Sequence, residues 1–200
     1  MIIDYNKIIK ETDEWVKKFM ENYDNSHDYN HVIRVKNMAL KIADNENLNN
    51  LDKFKIILSS LTHDIADNKY TNDLNEQERL LKIFFKDKLN TELLNDIIYV
   101  ACNTSLSKEI ENIEKIDNNN IILKCVQDAD RIDSLGSIGI SRYFIYGIKK
   151  KNSNMEQIIN NLKNRTKIIK KFIKTSYGKK IAKKKYKIIK KFIKDYKTSI

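Results

Sequence analysis

Two hundred residues pass without a proline, and only four glycines (Gly136, Gly139, Gly147 and Gly178) interrupt them. These two residue types penalise a helix interior most, proline by removing a donor and clashing with the preceding turn, glycine by its entropy. Their scarcity leaves the chain permissive for long helices almost throughout. No segment shows sustained two-residue alternation bounded by turn chemistry, the pattern of a half-buried strand. The expected class is therefore all-α, and the length suits one domain with a sizeable core.

Apolar periodicity places the helices. Ile8, Ile9, Trp15, Val16 and Phe19 recur at helical spacing, and a polar loop at 22–26 follows. Ser26 or Asp28 is placed to cap a second helix carrying His31, Val32, Val35, Met38, Ala39 and Ile42 on one stripe. Residues 54–66 are apolar nearly all round, as in a central buried helix. Shorter amphipathic helices are expected over 74–85 and 93–102, and a second core helix over 121–135. Two amphipathic helices, 155–177 and 181–196, complete the chain, with Gly178 placed to end the first.

Charge divides the chain unevenly. The formal net charge is +11, yet residues 149–200 hold 19 Lys/Arg against 2 acids, while residues 1–148 hold 19 against 25. The expected organisation is one domain, with a core over 1–148 and basic C-terminal helices over 149–200 packed on it. An identical octamer, Lys-Ile-Ile-Lys-Lys-Phe-Ile-Lys, occurs at 167–174 and at 187–194. Two copies do not make a repeat architecture. In each, isoleucine and phenylalanine share one face, which reads as a helix docking on the domain with its lysines solvated rather than as a nucleic-acid or lipid surface. The abundance of Asn, Ile and Lys fits AT-rich codon usage, so single surface lysines carry little weight.

Cys102 and Cys125 have no metal or redox spacing and read as buried thiols of a reducing compartment. The N-terminus lacks the basic and apolar regions of a secretion signal, and no run has the length of a membrane span. A cytoplasmic protein without membrane contact is expected.

The chemistry lies in the histidines. There are three, and all fall near aspartates: His27-Asp28, His31, and His63-Asp64 at the end of an apolar run, with Asp128, Asp130 and Asp133 in a second apolar segment. His31, His63, Asp64 and Asp130 would supply two imidazoles and two carboxylates to one divalent ion, leaving coordination positions open for water or substrate oxygens. Such an ion suits hydrolysis of phosphoesters or phosphoanhydrides.

The order His…His-Asp…Asp resembles that of the HD-domain metal-dependent phosphohydrolases. More narrowly, residues 27–35 (His-Asp-Tyr-Asn-His-Val-Ile-Arg-Val), 61–70 (Leu-Thr-His-Asp-Ile-Ala-Asp-Asn-Lys-Tyr) and 126–142, from Val126 to Arg142, are similar to three motifs of a bacterial subfamily. Its closing helix is matched in pattern from Thr175 to Phe192, so the resemblance covers nearly the whole chain. It implies a helical bundle of HD type with one divalent metal, and nucleotide pyrophosphohydrolase activity: a nucleoside triphosphate losing pyrophosphate through a metal-activated water.

On that resemblance His31, His63, Asp64 and Asp130 match the ligand positions. Asp67, three residues after Asp64, can position or deprotonate water, and His27 is a second candidate for proton transfer. Arg34, Lys69 and Arg131 can meet phosphate charge. Asp28, Asp128 and Asp133 support these groups, Asp128 pointing about 200° from Asp130 on a helix and so acting as a cap or orienting group. With no histidine beyond His27 left for a second ion, one ion is expected. Mn2+ is favoured over Mg2+, Ni2+, Co2+ or Fe2+. The alternatives are a nucleotidase or phosphodiesterase on the same site, or a nucleic-acid-binding protein that uses the basic tail and keeps the histidine–aspartate site for structure.

Overall fold

The computed structural model describes residues 4–22, 28–66, 71, 73 and 75–199, with Asn22 and Lys150 described by their backbone alone. His27, Asp67 and Lys69 lie outside the described residues. Those described form α1 (Tyr5–Phe19), a 3-10 turn (Met20–Asn22), α2 (Tyr29–Asn45), α3 (Asn50–Thr62), α4 (Glu76–Phe85), α5 (Thr91–Cys102) and α6 (Leu106–Glu111). Then follow α7 (Ile121–Asp133), α8 (Gly136–Lys151), α9 (Met155–Phe172) and α10 (Ser176–Thr198). No strand occurs among them, and none of their helices is long and apolar enough to cross a membrane. The fold is all-α.

Asparagine starts many of these helices. Asn49, Asn90, Asn120 and Asn154 accept a backbone N–H in the first turn of α3, α5, α7 and α9. Asp4 and Asp28 do the same for α1 and α2. A chain without proline delimits its helices by capping side chains instead.

The centre is α2, α3 and α7. Val35, Ala39, Ile42, Ile56, Val126, Ala129 and Ile132 are buried there together. On one side α1, α4 and α5 bury Ile8, Phe54, Leu58, Leu81, Phe85 and Ile97. On the other, Leu162 and Ile169 of α9 and Ala182 and Ile189 of α10 enter the same cluster as α2 and α7. The basic helices thus dock by their apolar faces.

Besides earlier starts of α3 (Asn50–Thr62, not 54–66) and α10 (Ser176, not residue 181), four features depart from the sequence expectation. Two are the helices α6 and α8, which periodicity does not indicate: α6 is short, and in α8 the residues Gly136, Gly139 and Gly147 argue against a helix. Gly147 serves close packing: a Cβ there would sit 2.6 Å from Ile158 Cγ1, so its absence lets α8 and α9 approach. The third departure is α9, which ends at Phe172, not at residue 177, and the fourth is Gly178, which lies inside the first turn of α10. A Cβ on Gly178 would lie 2.5 Å from Asp128 Oδ2. The small residue makes room for a capping carboxylate rather than ending a helix.

That carboxylate fastens the tail. Asp128 accepts from the Lys174 N–H (2.9 Å), the Thr175 N–H (2.7 Å) and the Thr175 hydroxyl (2.7 Å). Thr175 Oγ1 in turn accepts from the Gly178 N–H. Replacing Asp128 with alanine leaves these buried donors without an acceptor. The expected loss is about 2–3 kcal/mol of unfolding free energy, read as a lowered urea midpoint.

Candidate metal centre

Three helix ends meet at one point. His31 sits in the first turn of α2, where the Asp28 carboxylate accepts its backbone N–H at 2.9 Å. His63 and Asp64 follow the last residue of α3, and Asp130 lies in the last turn of α7. The His31 and His63 Nε2 atoms are 3.3 Å apart. Asp64 oxygens lie 3.3 Å from His31 Nε2 and 3.5 Å from His63 Nε2, and Asp130 Oδ1 lies 3.4 Å and 3.9 Å from the same two atoms. Ligand atoms of His31, His63 and Asp130 all fall within 4.8 Å of one another.

The surroundings set which nitrogen faces inward. His63 Nδ1 is 2.7 Å from the Ser60 carbonyl, and a carbonyl only accepts, so that nitrogen carries the proton. His31 Nδ1 is 2.7 Å from Asp133 Oδ2. Both Nε2 atoms are thereby turned toward the carboxylates, as a metal-binding imidazole supported from behind requires. Gln77 of α4 donates to the Thr62 and His63 carbonyls at 3.1 and 2.8 Å, fixing the end of α3 under the pair. Two nitrogens and two carboxylates in a buried cluster fit one divalent ion of borderline or hard character.

Charge in the metal-free cluster is balanced by protons. Burial and the nearby Arg142 disfavour a charged His31, yet Asp130, Asp133 and Asp64 push it up to about 10. Asp133 is held well below the usual carboxylate range: burial opposes this, and His31 and Arg34, with Arg142, outweigh it. An ion entering the cluster must displace the His31 proton. Metal titration near pH 7 is therefore expected to acidify a weakly buffered solution, with affinity rising as pH rises. Asp133 holds three partners: His31, Arg34 Nε at 2.7 Å and Arg142 Nη1 at 2.8 Å. Asp133→Asn weakens that support, and the expected cost is a 10–100-fold loss of metal affinity by calorimetry.

From the cluster a cleft of about 1210 Å³ extends between α6, α8 and α9. Lys108, Arg142, Lys151 and Arg165 line it, against one acid outside the ligand cluster, Glu111, and Tyr143 stands on its wall. Burial pushes the Tyr143 phenol up to about 12 against the pull of Arg165 and Arg142, so it remains a neutral donor. Sequence reasoning assigns these cations no role: it does not find α6 and α8, which carry three of them, and it reads α9, which carries Arg165, as a docking helix. The one signal is Arg142, which closes the third motif.

Two cations expected at phosphate are placed elsewhere. Arg34 is bonded to Asp133 and does not line the cleft. Arg131, the largest fully buried side chain, pairs with Glu109 of α6 and donates to the Phe172 carbonyl at 2.7 Å. Lys174 shares Glu109 at 2.8 Å. One residue after Asp130, the α7 surface has turned about 100° into the core, which takes Arg131 away from the site. Asp128 likewise meets α10, not the metal cluster.

A helical fold with such a cluster at converging helix ends defines a class of metal-dependent phosphohydrolases, and the comparisons name it. The HD domain model matches residues 28–135, from the cap of α2 to the end of α7. The chain belongs to the HD-domain family, within that phosphohydrolase superfamily. By sequence it is similar to the protein YpgQ of Bacillus subtilis, 28% identical over 141 residues that cover 66% of this chain and 62% of YpgQ. The chain thus spans less than two thirds of that curated relative's length.

By structure, it resembles the Lin1889 protein of Listeria innocua with a TM-score of 0.73 and 27% identity, over 98% of this chain and 96% of that one. An HD-superfamily hydrolase of Bacillus thuringiensis has a TM-score of 0.71 and 25% identity, over 98% and 97%. YpgQ in complex with ADP superposes with a TM-score of 0.78 over 98% and 96%, at 19% identity across that longer alignment.

Proposed function

We propose that this chain hydrolyses nucleoside triphosphates to the monophosphate and pyrophosphate, with one divalent ion, Mn2+ by preference, held by His31, His63, Asp64 and Asp130. The observation that carries this reading is the cationic cleft opening directly from the ligand cluster. Lys108, Arg142, Lys151 and Arg165 share that cleft with the two histidines, so a polyphosphate held there meets positive charge beside the ligand cluster. The complex of YpgQ with ADP supports a nucleotide as the occupant. A bound ion supplies Lewis acidity toward a phosphoryl oxygen and a more acidic water.

The chain's residues do the rest. His31 and His63, their Nδ1 atoms held by Asp133 and Ser60, present fixed Nε2 donors to the ion. The four cleft cations neutralise phosphate charge and orient the chain of phosphates. Asp67, three residues after Asp64, is proposed to take the proton from the attacking water. Water adds to the α-phosphorus and the bond from it to the bridging oxygen breaks, so pyrophosphate leaves.

Product analysis tests this reading. Metal-stripped protein resupplied with Mn2+ or Mg2+ is expected to release pyrophosphate from a panel of ribo- and deoxyribonucleoside triphosphates. Inorganic phosphate from monophosphates, or linear monophosphates from cyclic ones, would replace it by a nucleotidase or phosphodiesterase activity of the same site. Asp67→Asn is expected to lower kcat by about 10²–10⁴-fold with metal affinity kept. An unchanged rate in that variant would remove Asp67 from the mechanism.

A further inference from the structure

The lysines of α10 are not scattered over its surface. The helix holds ten lysines and one acid, Asp195. At 100° per residue, Lys179, Lys180, Lys183, Lys184, Lys187, Lys190, Lys191, Lys194 and Lys197 fall within one arc of about 140°. All nine are exposed. The tenth, Lys185, lies on the other side, partly buried and within reach of the Asp133 charge. From Lys179 to Lys197 the stripe runs about 27 Å, at 1.5 Å per residue. Among the described residues no carboxylate stands within ion-pair distance of any of the nine, whereas lysines elsewhere (Lys53, Lys55, Lys82, Lys88) do have acid partners.

The stripe continues onto α9. Lys170 places its ammonium 5.5 Å from the centre of the Tyr186 ring, at the margin of the α10 arc, and Lys167 and Lys171 flank it on α9. Codon usage does not account for this segregation. The same bias fills residues 1–148 with acids and asparagines as well as lysines, yet from Lys179 to Lys197 the exposed arc of α10 takes only lysine.

From this geometry we infer that the outer face of α10, extended by α9, is a docking surface for the phosphate backbone of nucleic acid. A straight row of mobile ammonium groups neutralises regularly spaced phosphates without reading bases, and gains its affinity from released counterions. A membrane surface would take the same charge but gains from apolar insertion, and here the apolar side is already used. Ala182 and Ile189 are buried, and Ile181, Phe192 and Ile193 pack against the core. Along the stripe only single apolar side chains, Ile188 on α10 and Ile168 on α9, are left exposed, and they form no insertion face. No α10 residue lines the cleft, so this surface is separate from the hydrolytic site and stands or falls apart from the reading of that site.

The test uses the full chain and a fluorescein-labelled 20-base-pair DNA duplex, with anisotropy followed from 50 to 200 mM salt. Neutralising about five phosphates gives a log–log slope near −4.5, a loss of several hundredfold in affinity across that range. The variant with Lys183→Gln, Lys187→Gln, Lys190→Gln and Lys194→Gln removes the middle of the arc and keeps helix-forming residues. Its slope is expected to flatten by about one for each phosphate no longer neutralised, with affinity at 50 mM salt down at least tenfold. Circular dichroism and thermal melting confirm that it folds. No duplex binding at 50 mM salt, equal binding by the variant, or binding to phosphatidylserine vesicles without binding to the duplex would each overturn the inference.

Discussion

His63→Ala is expected to abolish metal binding, and hydrolysis with it. The variant removes one of the Nε2 donors that face the cluster, 3.3 Å from its counterpart on His31. It leaves Asp64 and Asp130 facing His31 with one imidazole fewer between them. Loss of a supporting partner alone typically costs 10–100-fold in affinity, so loss of a donor should exceed about 100-fold. Metal content by mass spectrometry should fall to background, and the rate by at least about 10³-fold, or roughly 4 kcal/mol of barrier. His63 Nδ1 also holds the Ser60 carbonyl, so a helicity measurement belongs beside the assay. Metal-dependent turnover kept at the wild-type rate would show that the ion, if bound, is not held here.

Arg131→Met gives the second large effect, and it is on stability. The guanidinium is 1% exposed, and Glu109, its partner, is 3% exposed. Removing one member of a buried pair leaves the other's charge uncompensated, at a cost of about 3–5 kcal/mol. For a chain of this size that lowers the melting temperature by roughly 6–20 °C. Because Lys174 still reaches Glu109 at 2.8 Å, the lower part of the range is expected. Replacing both partners with apolar residues should recover much of the loss. Below its melting temperature Arg131→Met should turn over substrate within about twofold of wild type, because its side chain does not line the cleft. A selective rise in KM with no change in melting would return Arg131 to the substrate.

Much of the site is legible in the sequence because its donors come in short local words. His63-Asp64 are neighbours, His31 lies three residues past its cap at Asp28, and Asp130 sits in an apolar helix. Apolar periodicity reveals most of the helices for a similar reason, since it repeats within one turn. What escapes depends on distant partners. Arg131 reads as a phosphate ligand in isolation, and only Glu109 and the Phe172 carbonyl, from separate helices, explain its place in the core. The cations of the cleft belong largely to α6 and α8, one too short to show periodicity and the other disguised by glycines that serve packing. Gly178 reads as a terminator because only the approach of Asp128, from a helix far back in the chain, explains its smallness.

Helix α7 faces two ways. One side carries Asp130 to the candidate metal cluster, and the other carries Asp128 to the start of α10, with Arg131 reaching the end of α9 between them. Synthesis runs from the N-terminus, so Glu109 is already made for Arg131, whereas the Phe172 carbonyl and the Lys174 and Thr175 donors that Asp128 holds come after every proposed ligand. Until residues 172–175 emerge, the Asp128 carboxylate lacks the donors that fill it and Arg131 has Glu109 alone. The last stretch of chain to be made therefore closes α7 from behind, on the same helix that carries Asp130.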